Sequence, residues 1–64
     1  MSKESEFFIL LLEKYAYYRG KKGNEILAEF KEKNLIDYIY GMYDLYHIET
    51  LDNAFEDLDR QLEV

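Results

Sequence analysis

The sequence contains no cysteine, no proline and no tryptophan, and it has only three glycines and one histidine in 64 residues. Without cysteine there is no disulfide framework, and a single histidine without thiolates cannot complete a typical structural zinc site. No motif for a cofactor is present, so neither cofactor nor metal is expected. Without proline the strongest breaker of helices is missing. Long apolar runs are missing too. The longest one at the start, Phe7 to Leu12, gives way to Glu13 and Lys14. That is too short for a signal-peptide core or a membrane span. The chain reads as a soluble, unprocessed, cytoplasmic protein that does not meet a membrane.

Basic residues are scarce in one half only. Residues 1–33 carry seven Lys or Arg against six Asp or Glu, a net of +1, whereas residues 34–64 carry one Arg against eight acids, a net of −7. Phosphate backbones repel such a half, which argues against nucleic acid. A basic protein surface is the natural complement.

What the chain does have is packing material, with 48% hydrophobic and 17% aromatic residues. A domain this short buries only about 60% of its unfolded surface, so its core is marginal without efficient packing or a partner. Helical periodicity dominates, and no alternating run suggests a strand. The spacing predicts an all-α fold, a compact bundle of four short helices in a single domain spanning residues 1–64. The first helix runs from about Glu4 to Arg19, with Phe8, Leu11, Leu12, Tyr15 and Tyr18 on its core face. Gly20 and Gly23 bracket a connection. The second runs from Asn24 to Lys33 on a narrow stripe of Ile26, Leu27 and Phe30, and Asn34 suits a left-handed stop.

The third segment, Ile36 to about Tyr46, is apolar nearly all round and is expected at the centre. Gly41 inside it hints at a close backbone approach or an early end. The fourth begins at a Thr50 cap and carries Leu51, Ala54, Phe55, Leu58 and Leu62 at helical spacing. One core should unite Leu11, Tyr15, Phe30, Ile39, Met42, Phe55 and Leu58.

Candidate functional residues are few. His47 could be a general base beside Asp44 or Asp57, but a small bundle offers little room for a substrate cleft. A histidine at a helix end, bonded to backbone or carboxylate, is the better reading. Most tyrosines, among them Tyr15, Tyr18, Tyr38 and Tyr46, read as core with their hydroxyls reaching the surface. Leu10 and Tyr17 differ, because they lie opposite the core stripe among Glu6, Glu13 and Lys14. They are either scattered apolar residues or the centre of a contact patch. Asp52, Glu56, Asp59 and Glu63 recur along one strip of the last helix. They are either a solvated face or a docking strip for a basic partner.

The order Phe30-Lys31, Ile36-Asp37-Tyr38-Ile39-Tyr40, Tyr43-Asp44-Leu45-Tyr46-His47 and Glu56-Asp57-Leu58-Asp59 resembles the pattern of a family of short bacterial proteins, mostly of Firmicutes. That family is a domain of unknown function, and the likeness covers nearly the whole chain. It implies no catalytic residues. It does imply a genomic setting, beside larger ADP-ribosyltransferase-like proteins in pairs that look like toxin and antitoxin. The expected function is a non-enzymatic protein-binding module, antitoxin-like or regulatory. The alternative is a self-associating structural domain, a homodimer without a dedicated partner.

Overall fold

Each long helix ends where the sequence supplies a stop. In the computed structural model, which describes residues 1–64, α1 spans Lys3–Arg19. Ser2 caps it, its Oγ accepting a hydrogen bond from the Ser5 N–H at 3.1 Å, one residue earlier than the periodicity alone suggests. Gly20 turns left-handed at φ 69°, which lets the Lys21 N–H reach back to the Ala16 carbonyl at 2.9 Å. Helix α2 spans Gly23–Glu32. The Glu25 carboxylate caps its start by accepting from the Lys22 N–H at 2.9 Å. Asn34, at φ 56°, closes its end, with the Leu35 N–H on the Phe30 carbonyl at 2.8 Å.

The expected single third helix is instead two. Helix α3 spans Ile36–Gly41 and α4 spans Tyr43–Tyr46, so the chain has five helices and no strand. The break falls at Met42 (φ −89°, ψ 4°), directly after Gly41. A β-carbon built on Gly41 meets nothing within 4 Å, so this glycine marks an early end and no close approach. Helix α5 spans Leu51–Leu62 behind an extended Thr50, whose hydroxyl makes no capping bond. Its end is a left-handed residue, Glu63 at φ 60°.

The helices enclose one core within overall extents of 24 × 23 × 19 Å. Tyr15, Phe30, Leu11, Ile26, Ile39 and Leu58 are fully buried there, drawn from α1, α2, α3 and α5. Burial of each such side chain contributes about 1.5–3 kcal/mol before entropy. Phe55 joins them, while Met42 packs against the cluster only half-buried. Rings interlock the layers, with Tyr15 against Phe30 at 6.0 Å and against Phe55 at 5.6 Å. Two expected core tyrosines lie further out: Tyr38 is half-buried and Tyr18 is 53% exposed, its ring stacked on Phe55 at 4.8 Å.

Candidate functional site

A helix that buries one stripe normally turns a polar face outward. Helix α1 does not. Leu10 and Tyr17, seven residues apart, project from its outer face with exposures of 47% and 88%, and Ile9 beside them is 45% exposed. Glu6, Glu13 and Lys14 complete the surface. All six come from one helix, so they form an open strip and enclose no cavity. The protein's four ion pairs lie elsewhere and leave these three charges unpaired. Sequence reasoning identified Leu10 and Tyr17 but not Ile9, which sits next to Leu10 on the edge of the same face.

The acidic strip of α5 divides into two unlike pairs. Asp52 and Glu56 are exposed and engage no cation. Asp59 is half-buried against α1, where its Oδ1 accepts from Tyr15 Oη at 2.7 Å and its Oδ2 from Tyr18 Oη at 3.2 Å. Glu63 lies just past the helix, and its carboxylate accepts from Lys33 Nζ at 3.1 Å. A uniform row of four free carboxylates therefore does not form. Two are free, one is bonded to tyrosines, and one closes an ion pair.

The carboxylate between them was not singled out by spacing. Asp57 Oδ2 accepts hydrogen bonds from both Tyr38 Oη, at 2.6 Å, and Tyr46 Oη. Arg60 Nη2 occupies the other oxygen at 3.1 Å. Burial pushes the Asp57 carboxyl up, but the bonds from Tyr38, Tyr46 and Arg60 outweigh it and hold the group below the usual carboxylate range. Burial and the same carboxylate raise Tyr46 and Tyr38 above the ordinary phenol value. Tyr15 is raised likewise, by burial first and then by Asp59. The sequence signal was the Asp-x-Asp of Asp57 and Asp59, which places the two carboxylates on opposite flanks of Leu58.

Arg19 extends the tyrosine network. Its Nη1 donates to Tyr15 Oη at 3.0 Å and to Glu29 Oε1 at 3.2 Å, and Lys21 Nζ meets the other Glu29 oxygen at 2.9 Å. No buried side-chain polar atom is left without a partner. His47 is exposed at the end of α4. Its Nδ1 lies 2.6 Å from the Tyr43 carbonyl, which fixes the proton on Nδ1, and its ring stacks on Tyr43 at 4.4 Å. Asp57, a suggested partner for it, is already engaged by two tyrosines and an arginine. No group of three or more His, Cys, Asp or Glu side chains gathers to hold a metal, and no helix is long and apolar enough to cross a membrane.

The model of a family described as a protein of unknown function (DUF3791) matches residues 6–63, and the chain belongs to that family. No curated protein and no solved structure matches it. The matched span takes in the outer face of α1, both tyrosine–aspartate clusters and all of α5.

Proposed function

We propose that this chain is a protein-binding domain that docks on a partner protein through the outer face of α1. The observation that carries this reading is Tyr17, 88% exposed beside Leu10 and Ile9 on a face that no other element covers. Large apolar side chains grouped on a polar surface mark contact sites more often than isolated ones do. Tyrosine is also enriched at interfaces, because its ring buries area while its hydroxyl stays bonded.

The chemistry of the strip supports a partner of complementary charge. Glu6 and Glu13 recur on the same face as Leu10 and Tyr17 and have no cation of their own. A second copy laid on the strip brings one cation, Lys14, against two carboxylates, and each copy carries a net charge of −6. Like net charge disfavours that pairing. The fitting occupant is a different protein presenting apolar side chains flanked by Lys or Arg. Asp52 and Glu56 on α5 add long-range attraction for such a surface.

The resemblance to short bacterial proteins encoded beside ADP-ribosyltransferase-like proteins supplies the partner to test, and restraint of that partner is the role it implies. The experiment is titration calorimetry of the purified chain against the product of the adjacent reading frame, with Leu10→Ser/Tyr17→Ser as comparison. The wild type should bind, and the double variant should lose at least tenfold in affinity while keeping its helicity. Equal binding by both proteins removes α1 from the interface. A wild-type dimer that the double variant disperses, seen by light scattering, replaces this reading with self-association.

A further inference from the structure

A second surface is built differently from the α1 strip. Where α4 meets α5, a groove of about 260 Å³ opens over Met42, Leu45 and Tyr46. It combines these three apolar residues with five polar ones, and Leu45 is 46% exposed within it. Its rim carries the carboxylates of Glu49, Glu56 and Asp57 against the single guanidinium of Arg60. No residue of α1 lines it. The volume falls below the ~300–1,000 Å³ usual for small-molecule sites, so it suits a single long side chain.

Arg60 already shows how the rim treats a cation, holding its guanidinium on Asp57 Oδ1 at 3.1 Å. Glu49 is engaged only by the Asn53 amide, at 3.1 Å, and Glu56 by nothing. Two carboxylates without a counter-charge therefore line the groove beside the exposed Leu45. Lysine and arginine side chains combine the two matching properties, an aliphatic stem that covers apolar surface and a cationic head that stays at its edge.

We propose that the α4–α5 groove is an anchor for one basic side chain of a protein partner, its stem over Met42 and Leu45 and its head between Glu49 and Glu56. This deepens the binding reading given above, since it names a second contact and the residue type that fills it. The two contacts stand on separate elements and fail separately. A second copy of the chain is disfavoured as the source of the anchor because both copies carry a net charge of −6, although residues 1–33 do hold seven Lys or Arg.

The probe is a 12-residue peptide of alternating Leu and Arg, titrated into the full chain and followed by amide and methyl NMR. A Leu/Glu peptide and spermidine serve as controls. The Leu/Arg peptide should give saturable shifts at the Met42 and Leu45 methyls and at the Glu49 and Glu56 amides, and the controls should not. Glu49→Gln/Glu56→Gln should weaken binding about five- to twentyfold, the product of two exposed charge contacts. Tyr17→Ser should leave these groove shifts unchanged. Linear, unsaturated shifts spread over all the acidic residues overturn the proposal, as does spermidine competing on equal terms. Shifts confined to Ile9, Leu10 and Tyr17 also overturn it, while supporting the α1 reading.

Discussion

Asp57 and Asp59 stand two positions apart on α5, and each accepts hydrogen bonds from a pair of tyrosines on other helices. The pairs are not equivalent. Tyr46 is buried and Tyr38 half-buried, whereas Tyr18 is 53% exposed. Removing a bond to a charged acceptor costs about 1–3 kcal/mol where water cannot replace it. Tyr46→Phe should therefore lower unfolding stability by about 1–3 kcal/mol, while Tyr18→Phe should have a much smaller effect, as exposed sites usually do. Urea titrations followed by circular dichroism separate the two. The same groups set the pH response. The Asp57 carboxyl is depressed in the folded chain, and so is that of Glu29, through Lys21 first and Arg19 after it, against the opposing effect of burial. Their contribution is present above the unfolded carboxylate values near ~4 and is lost as pH falls through the lower folded ones. Tyr15, Tyr18, Tyr38 and Tyr46 are raised instead, so their contribution is whole below ~10 and is lost as pH climbs beyond it. Thermal midpoints measured from pH 2 to 12 should fall at both ends. Asp57→Asn should flatten the acid limb, and an acid limb unchanged by that substitution would show that Asp57 does not contribute to it.

Two glycines sit at helix ends for opposite reasons, and substitution tells them apart. Gly20 closes α1 at φ 69°, where a β-carbon clashes with the backbone at a cost of about 1–2 kcal/mol. Gly41 has ordinary helical geometry and open space around it, so alanine there removes unfolded-state entropy at no steric cost. Gly20→Ala should destabilise by about 1–2 kcal/mol, and Gly41→Ala should stabilise by about 0.5–1 kcal/mol. Chemical denaturation of the two variants checks both signs. These ends also mark how far the sequence could be read. The ends of α1 and α2 were legible because Gly20 and Asn34 are local signals, acting on backbone within one turn. The start of α5 was legible because its apolar spacing begins at Leu51, although Thr50 makes no capping bond. The break at Met42 was only hinted at, because the segment around Gly41 is apolar on nearly every face and periodicity cannot place a kink in it. The pairing of Asp59 with Tyr15 and Tyr18 was not legible, since it joins residues more than forty positions apart. Local spacing made Asp59 and Glu63 look equivalent to Asp52 and Glu56. Tertiary contact separates them. Leu10 and Tyr17 were legible as outward-facing because the core stripe of α1 fixes its opposite side. Ile9 lies at the margin between the two and was missed.

At the scale of the whole molecule, charge and apolar surface are arranged for different tasks. The apolar strip lies on α1, in the half with a net of +1, and the −7 of residues 34–64 surrounds α5 and its approach. In the proposed docking, short-range contact and long-range attraction fall on two helices of one small core. Only Asp52 and Glu56 of the α5 strip remain free to act at a distance, because Asp59 and Glu63 are held by tyrosines and by Lys33. Steering is accordingly predicted to reside in those two. Charge reversal, Asp52→Lys/Glu56→Lys, should slow association with the basic partner about tenfold at low salt, with a much smaller change in dissociation. The two proteins should converge as salt rises and the screening length shrinks to about 8 Å near 0.15 M. Fold stability should fall only slightly, because both positions are exposed. The double reversal keeps a like-charged i, i+4 pair, so that repulsion of a few tenths of a kcal/mol is unchanged. Loss of Asp52 from the first turn of α5 removes a comparable dipole interaction. Reversal at Glu63 breaks its bridge to Lys33 and should change association less than reversal at Glu56. Stopped-flow association rates at two salt concentrations, for the wild type, the double reversal and Glu63→Lys, test the division directly. Equal and salt-independent rates for all three proteins would leave Asp52 and Glu56 as a solvated face and nothing more.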